Sequence, residues 1–340
     1  ISDITNTWVP SMRRYIDEEA LMKLIQRQGY LDFLRRNRER PIIKVVSGIR
    51  RCGKSTLFRL FKDELLADNV KPEQIISINF EELEYEHLRD YHALYQYILE
   101  RMQPNETNYI FLDEIQHVDQ FHRVVDSLFV KENTDLYITG SNAYFMSSDI
   151  ATLLTGRYVE IQMLPLSFSE FYHSKYEGNQ YSLIPAYEAY LRESSFPYTQ
   201  QLGGEDFDIQ EYLRGLYNTL LLHDVVARLK INDVTILQDI VRYIMANVGS
   251  LLSPNKLANS LDNKTVERYL QGLQDSLLLY KVNRYDVRGK ELLRINAKYY
   301  SVDVTLRNLL VGNASRDTGH ILENIVFLEL IRRGYTVYVG

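Results

Sequence analysis

Apolar residues crowd into short, nearly unbroken runs over the first half of the chain: Ile42-Ile43-Lys44-Val45-Val46-Ser47, Gln74-Ile75-Ile76-Ser77-Ile78-Asn79-Phe80, Tyr109-Ile110-Phe111-Leu112, Leu136-Tyr137-Ile138-Thr139 and Tyr158-Val159-Glu160-Ile161-Gln162. Runs of this length read as strands buried on both faces. Between them apolar positions return at helical spacing, as at Leu57, Phe58, Leu60, Phe61, Leu65 and Leu66. The spacing predicts helices over 55–67, 85–102 and 121–131, with another ending at 150–155. Strands alternating with helices predict an α/β fold: a parallel five-stranded sheet with helices on both faces.

After residue 165 the strand runs stop. Helices are expected over 168–176, 183–193 and 209–229, forming a lid or connector, then over 236–248, 253–261 and 263–277, the last capped by Asn263. Two strands, 279–285 and 292–295, flank Asp286-Val287-Arg288-Gly289-Lys290. Three helices and a basic hairpin are the parts of a winged helix, whose third helix can enter a major groove while the wing touches phosphates. Thr265, Arg268, Arg284, Arg288 and Lys290 are the nucleic-acid contacts this reading names; winged helices serve equally as protein-contact or ATPase-lid modules. A helix over 319–330 and a strand from 334 follow.

Chemistry enters at Gly48-Ile49-Arg50-Arg51-Cys52-Gly53-Lys54-Ser55-Thr56, which spells G-x-x-x-x-G-K-[ST] between a strand and a helix. Its glycines let backbone N–H groups turn inward around a polyphosphate, Lys54 brings a cation to the β- and γ-phosphates, and Ser55 offers a hydroxyl to Mg²⁺. The helix that follows adds its positive N-terminus. Cys52 beside that N-terminus is either a thiol of lowered pKa open to oxidation or simply a small residue. About sixty residues on, an apolar strand ends in Asp113-Glu114. Asp113 suits Mg²⁺, and Glu114 suits polarising the water that attacks a γ-phosphate. Gly140-Ser141-Asn142 ends the next strand; Ser141 or Asn142 is a candidate γ-phosphate sensor, although the tripeptide is also common turn chemistry.

Composition sets limits. A length of 340 residues allows two or three domains, and 45% hydrophobic with 25% charged residues is ordinary for a globular protein. No apolar run approaches the ~18 residues of a membrane span, and the start lacks a signal-peptide pattern. One cysteine excludes an internal disulfide and fits a reducing cytoplasm. Net charge is −6, yet residues 255–312 carry ten Lys or Arg against six acids.

The order of P-loop, Asn79 on the second strand, Asp113-Glu114 on the third, Ser141-Asn142 on the fourth and Gly156-Arg157 before the fifth resembles the additional-strand P-loop ATPases of the AAA+ class. With Asn79-Phe80-Glu81-Glu82, Leu112-Asp113-Glu114-Ile115-Gln116 and Leu164-Pro165-Leu166-Ser167-Phe168-x-Glu170-Phe171, it is closer to a prokaryotic AAA family of ATP-binding proteins that carry a C-terminal domain of unknown function. The resemblance implies ATP, with Mg²⁺, rather than GTP. It places Arg157 at the arginine-finger position, which requires a homo-oligomer or some other source of an Arg in trans; the other reading is an Arg paired with a surface acid. It also gives Asn79 a chance to restrain Glu114, and aligns Glu323 with the first acid of a PD-(D/E)xK nuclease. Where the family has Gly-Gly-x-Pro, this chain has Ser194-Ser195-Phe196-Pro197.

The resulting division is a possible leader over 1–11, an ATPase domain over 12–165, a connector over 166–235, a winged-helix-like domain over 236–312 and the start of a nuclease-like domain over 313–340. The expected activity is ATP hydrolysis by activated water, with Lys54, Glu114, Arg157 and Asn142 in catalytic roles. Three uses stay open: a machine coupled to DNA, a slow nucleotide-gated switch for protein partners, and an ATPase regulating a nuclease-like half. No membrane partner is expected.

Overall fold

The computed structural model describes residues 24–141, 154, 156–176, 181–202, 206–231, 233–253, 262–286, 289, 291–312 and 317–340. Asn142, Arg288 and Lys290, the leader and the helix expected over 253–261 lie largely or wholly outside these residues.

Five strands form one parallel sheet: β1 Ile43–Gly48, β2 Ile75–Asn79, β3 Asn108–Asp113, β4 Thr134–Gly140 and β5 Tyr158–Met163, in the order β2-β3-β4-β1-β5. Strand β4 therefore stands between β1, which feeds the P-loop, and β3, which ends in the acids. Every residue of β1 and β3 is buried, the signature of central strands covered on both faces. The period of two divides them: Ile43, Val45, Ile110 and Leu112 pack with one apolar cluster, Val46, Tyr109 and Phe111 with the other.

The helices are α1 Gln28–Asn37, α2 Lys54–Ala67, α3 Tyr91–Arg101, α4 Phe121–Phe129, α5 Phe168–Tyr176, α6 Leu183–Glu193, α7 Asp206–Thr219, α8 Val234–Ala246, α9 Asn263–Asp275, α10 Val304–Val311 and α11 Thr318–Arg332. Several differ from expectation. The helix predicted over 85–102 is a 3₁₀ segment, Leu83–Arg89, followed by α3; Asp90 breaks the run because its side chain accepts from the Ala93 N–H and starts a new helix. The long helix over 209–229 is α7 continued by a π-helical segment, Leu220–Ala227. The cap of α9 is Asp262, not Asn263: its carboxylate accepts from the Thr265 N–H at 2.9 Å.

The C-terminal half builds a second sheet, antiparallel, from β6 Leu251–Leu252, β7 Leu279–Asp286 and β8 Glu291–Ser301 in the order β6-β8-β7. Strand β8 is far longer than the expected 292–295, because its second half, through Tyr299 and Tyr300, pairs with Lys281 and Tyr280. Of the strand expected from 334, only a bridge between Val339 and Arg284 forms.

Candidate nucleotide site

The carboxyl ends of β1, β3 and β4 converge, and the site grows from that edge. Gly48 leaves β1 where a Cβ would stand 2.3 Å from the Met163 carbonyl oxygen, so only glycine lets the two backbones approach. Arg51 (φ 67°) and Gly53 (φ 106°) take left-handed conformations that curl the loop. Ile49 and Cys52 are buried beneath it, Arg51 and Ser55 are exposed, and Lys54 opens α2.

Lys54 is only 4% exposed. Its Nζ donates to the Gly48 carbonyl at 3.0 Å and lies 3.0 Å from Glu114 Oε1. Burial opposes the Lys54 charge, but Glu114 outweighs it and raises the pKa. In turn burial works to raise the Glu114 carboxyl, while Lys54 and hydrogen bonds from Gln116 and Ser141 hold it below the usual range. Glu114 sits at φ 55°, an uncommon conformation for a side chain of this size. Thr139 on β4 fixes both acids: its hydroxyl accepts from the Glu114 N–H at 2.8 Å and donates to Asp113. Gln116 Nε2 bonds Glu114 and, at 3.2 Å, Ser141. Asp113, raised by burial, is hydrogen-bonded by Ser55 and Thr139. The two oxygens assigned to a metal from sequence are thus adjacent. One carboxylate and one hydroxyl suit Mg²⁺, which completes its shell with water and phosphate oxygens; among the described residues no cluster of three or more His, Cys, Asp or Glu could hold a metal by itself.

Other expected residues lie elsewhere. The side-chain hydrogen bonds of Asn79 go elsewhere than Glu114: its amide donates to Glu82 at 3.1 Å and its carbonyl accepts from the Glu81 N–H at 3.1 Å. Burial pushes the Cys52 thiol up, opposite to the helix-terminus expectation. Arg157 is at the amino edge of the sheet, its carbonyl bonded to the Ile43 N–H, and its guanidinium pairs with Asp126 of the same chain. It is therefore a strand's length from the Lys54 cluster. On the second sheet's side, the Thr265 hydroxyl donates to Asp262 at 2.8 Å, Arg268 is exposed and lies 5.6 Å from the Tyr269 ring, and Arg284 is half-buried. Glu323 accepts from Lys298 Nζ and Tyr300 OH, each at 2.6 Å.

One organising residue escaped the sequence reading. Arg27, 3% exposed, donates to Glu170 at 2.8 Å through both Nε and Nη2, to the Leu164 carbonyl at 2.7 Å and to the Cys52 carbonyl at 3.2 Å. It ties the phosphate loop to the end of β5 and the start of α5. Beside it opens a cavity of about 970 Å³, lined by Gln26, Gly53, Thr56, Met163, Pro197 and Gln200 among others.

Comparisons with known proteins agree with this construction. An AAA domain family matches residues 40–172, and a domain of unknown function (DUF8612) matches residues 184–317. An uncharacterized protein of Haemophilus influenzae is 39% identical over 327 residues, 93% of this chain and 81% of the relative; one of Methanocaldococcus jannaschii is 31% identical over 317 residues, 86% of this chain and 67% of the relative. Among solved structures, a Walker-type ATPase of Pyrococcus abyssi aligns with a TM-score of 0.55 at 15% identity, covering 84% of this chain and 96% of that one, a likeness of fold. No helix of the described residues is long and apolar enough to cross a membrane. With the β2-β3-β4-β1-β5 sheet carrying its phosphate loop on β1, the chain belongs to the prokaryotic family of P-loop proteins in which an AAA domain precedes a C-terminal domain of unknown function.

Proposed function

We propose that the protein binds Mg²⁺-ATP at this edge of the sheet and hydrolyses it with water. The observation that carries the reading is the Lys54, Asp113 and Glu114 cluster, buried and cross-linked through Thr139. Backbone amides from Gly48 to Thr56 cradle the phosphates, and Lys54 neutralises the β- and γ-groups. Ser55 and Asp113 would hold Mg²⁺, which screens phosphate charge when bound. Glu114 accepts the proton of the attacking water; its lowered pKa keeps it ionised for that task. The cavity beside Gly53 and Thr56 is the place for the nucleoside. Gln200 Nε2 is buried there with no hydrogen-bond partner among the described residues, a donor ready for a base or ribose oxygen.

Two substitutions test this. Lys54→Ala removes a charge-assisted contact worth about 1.5–3 kcal/mol, so Mg²⁺-ATP should bind roughly ten- to hundredfold more weakly. Glu114→Gln should keep ATP and lose about 10²–10⁴ in turnover. Equal hydrolysis by both variants and the parent, with binding by calorimetry unchanged, would end the assignment.

A second reading concerns the C-terminal module. The succession α8, β6, α9, β7, β8 with sheet order β6-β8-β7 supports a winged-helix reading of this module, and that reading favours DNA or a protein partner as what the ATPase couples to. Arg157, remote from the site of its own chain, can serve only the site of a second copy. We keep the division into ATPase domain 12–165, connector 166–235 and winged-helix-like module 236–312 as part of this proposal.

A further inference from the structure

Arg50 is the one cationic side chain of the phosphate loop besides Lys54 that turns toward the acids, and neither role assigned above uses it. Its Nη1 pairs with Glu81, just past β2, and its Nη2 lies 3.6 Å from Asp224 Oδ1 on the π-helical segment. Burial opposes the guanidinium charge, but Asp224, Glu81 and then Glu114 raise its pKa. On the reading above Glu114 takes the proton of the attacking water, and Arg50 lies four residues before Lys54, which pairs with Glu114, in the same loop. The Arg50 Nε is buried and has no hydrogen-bond partner among the described residues. A buried donor left open in this way is destabilising unless something accepts from it. Arg157, by contrast, is held at the far edge of the sheet by Ile43 and Asp126.

Resting on the ATPase reading above, we propose that Arg50 is the arginine that neutralises charge on the transferring phosphoryl group, acting within its own chain. In the step, the water oxygen forms a bond to the γ-phosphorus as the bond from that phosphorus to the β,γ-bridging oxygen breaks. The water's proton passes to Glu114, and ADP leaves with the bridging oxygen's electron pair. Negative charge builds on the equatorial oxygens and the bridge, where a planar guanidinium offers two parallel donors that an ammonium cannot match. Glu81 and Asp224 set the guanidinium's place. Because Asp224 belongs to the connector, any turn of Arg50 toward phosphate loosens its hold on the π-helical segment, which packs through Val225, with Leu229 just beyond its end, against Gly272 of α9. Phosphate chemistry is thereby linked to the C-terminal module through one side chain.

The test compares the parent with Arg50→Ala and Arg50→Lys. Binding of Mg²⁺-ATP and of a non-hydrolysable analogue is measured by calorimetry, and turnover is followed over a hundredfold range of protein concentration. The expected result is nucleotide binding within about threefold of the parent, which also certifies folded protein, and kcat lower by on the order of 10³ in Arg50→Ala. Arg50→Lys should recover little, and the parent's turnover per molecule should not change with concentration. Parental kcat in Arg50→Ala, a loss confined to binding, or turnover that appears only on association and vanishes in Arg157→Ala instead, would each overturn the proposal. Failure of the parent itself to bind nucleotide would strike the ATPase reading, a distinguishable result.

Discussion

Arg27 and Glu170 form a buried pair whose worth lies in what surrounds it. Taking a guanidinium out of water is costly, and the cost is recovered only where hydrogen bonds are complete; here two carboxylate oxygens and three backbone carbonyls surround Arg27. Burial works to raise the Glu170 carboxyl, but Arg27 overrides it and the folded pKa falls below the ordinary value. A carboxylate depressed in this way contributes stability that is fully present above its unfolded pKa of about 4.3 and is lost as pH falls through the folded value. Glu170→Gln should thus cost about 3 kcal/mol at pH 7, by leaving Arg27 without a counter-ion, and flatten the fall in stability below about pH 5. Urea unfolding at a series of pH values reads both; an unchanged acid limb in the variant would remove Glu170 from this role. Asp113 and Glu114 were legible because strand and acid are contiguous. Arg27 was not: its partner lies 143 residues away, and no local pattern marks a lone Arg before a helix as buried.

At the scale of elements, strands were more legible than helix ends. A buried strand declares itself by an unbroken apolar run, whereas the break between Leu83–Arg89 and α3 depends on one side-chain bond from Asp90. The π-helical segment Leu220–Ala227 was also hidden, because an apolar run does not distinguish π- from α-helical turns. The hairpin β7–β8 was visible, but its charges read differently in place. Arg284 is half-buried beside Val339, and the Thr265 hydroxyl is occupied by Asp262, which leaves Arg268 as the exposed contact on α9. If the module engages duplex DNA, turnover should rise on adding it, and Arg268→Ala should weaken the effect while Arg284→Ala mostly costs stability. Each lost phosphate contact should lower the slope of log affinity against log salt by about 1. Turnover indifferent to DNA across 50–200 mM salt would favour a protein partner instead.

Over the whole molecule, one apolar cluster runs from Leu31 and Phe33 on α1, through Phe58 and Phe61 on α2 and Leu213 and Leu216 on α7, to Val266 and Leu270 on α9 and Phe327 on α11. The sequence suggested separate domains because the apolar strand runs stop after residue 165, and that change of pattern says nothing about which faces meet. A core shared across the division predicts that the parts unfold together. If Mg²⁺-nucleotide binds only the folded site, as proposed, then at a hundred times its dissociation constant it should add about 2.7 kcal/mol to stability. With a shared core, that increment must reach the distant elements: amide protection in α9 should rise along with that in α2 when the nucleotide is added, and heating should give one transition whose midpoint moves upward as a unit. Two transitions, with the one containing α9 unmoved by nucleotide, would mean that the cluster is contact without cooperativity, and that the C-terminal module reports on the phosphate site only through the Arg50–Asp224 link.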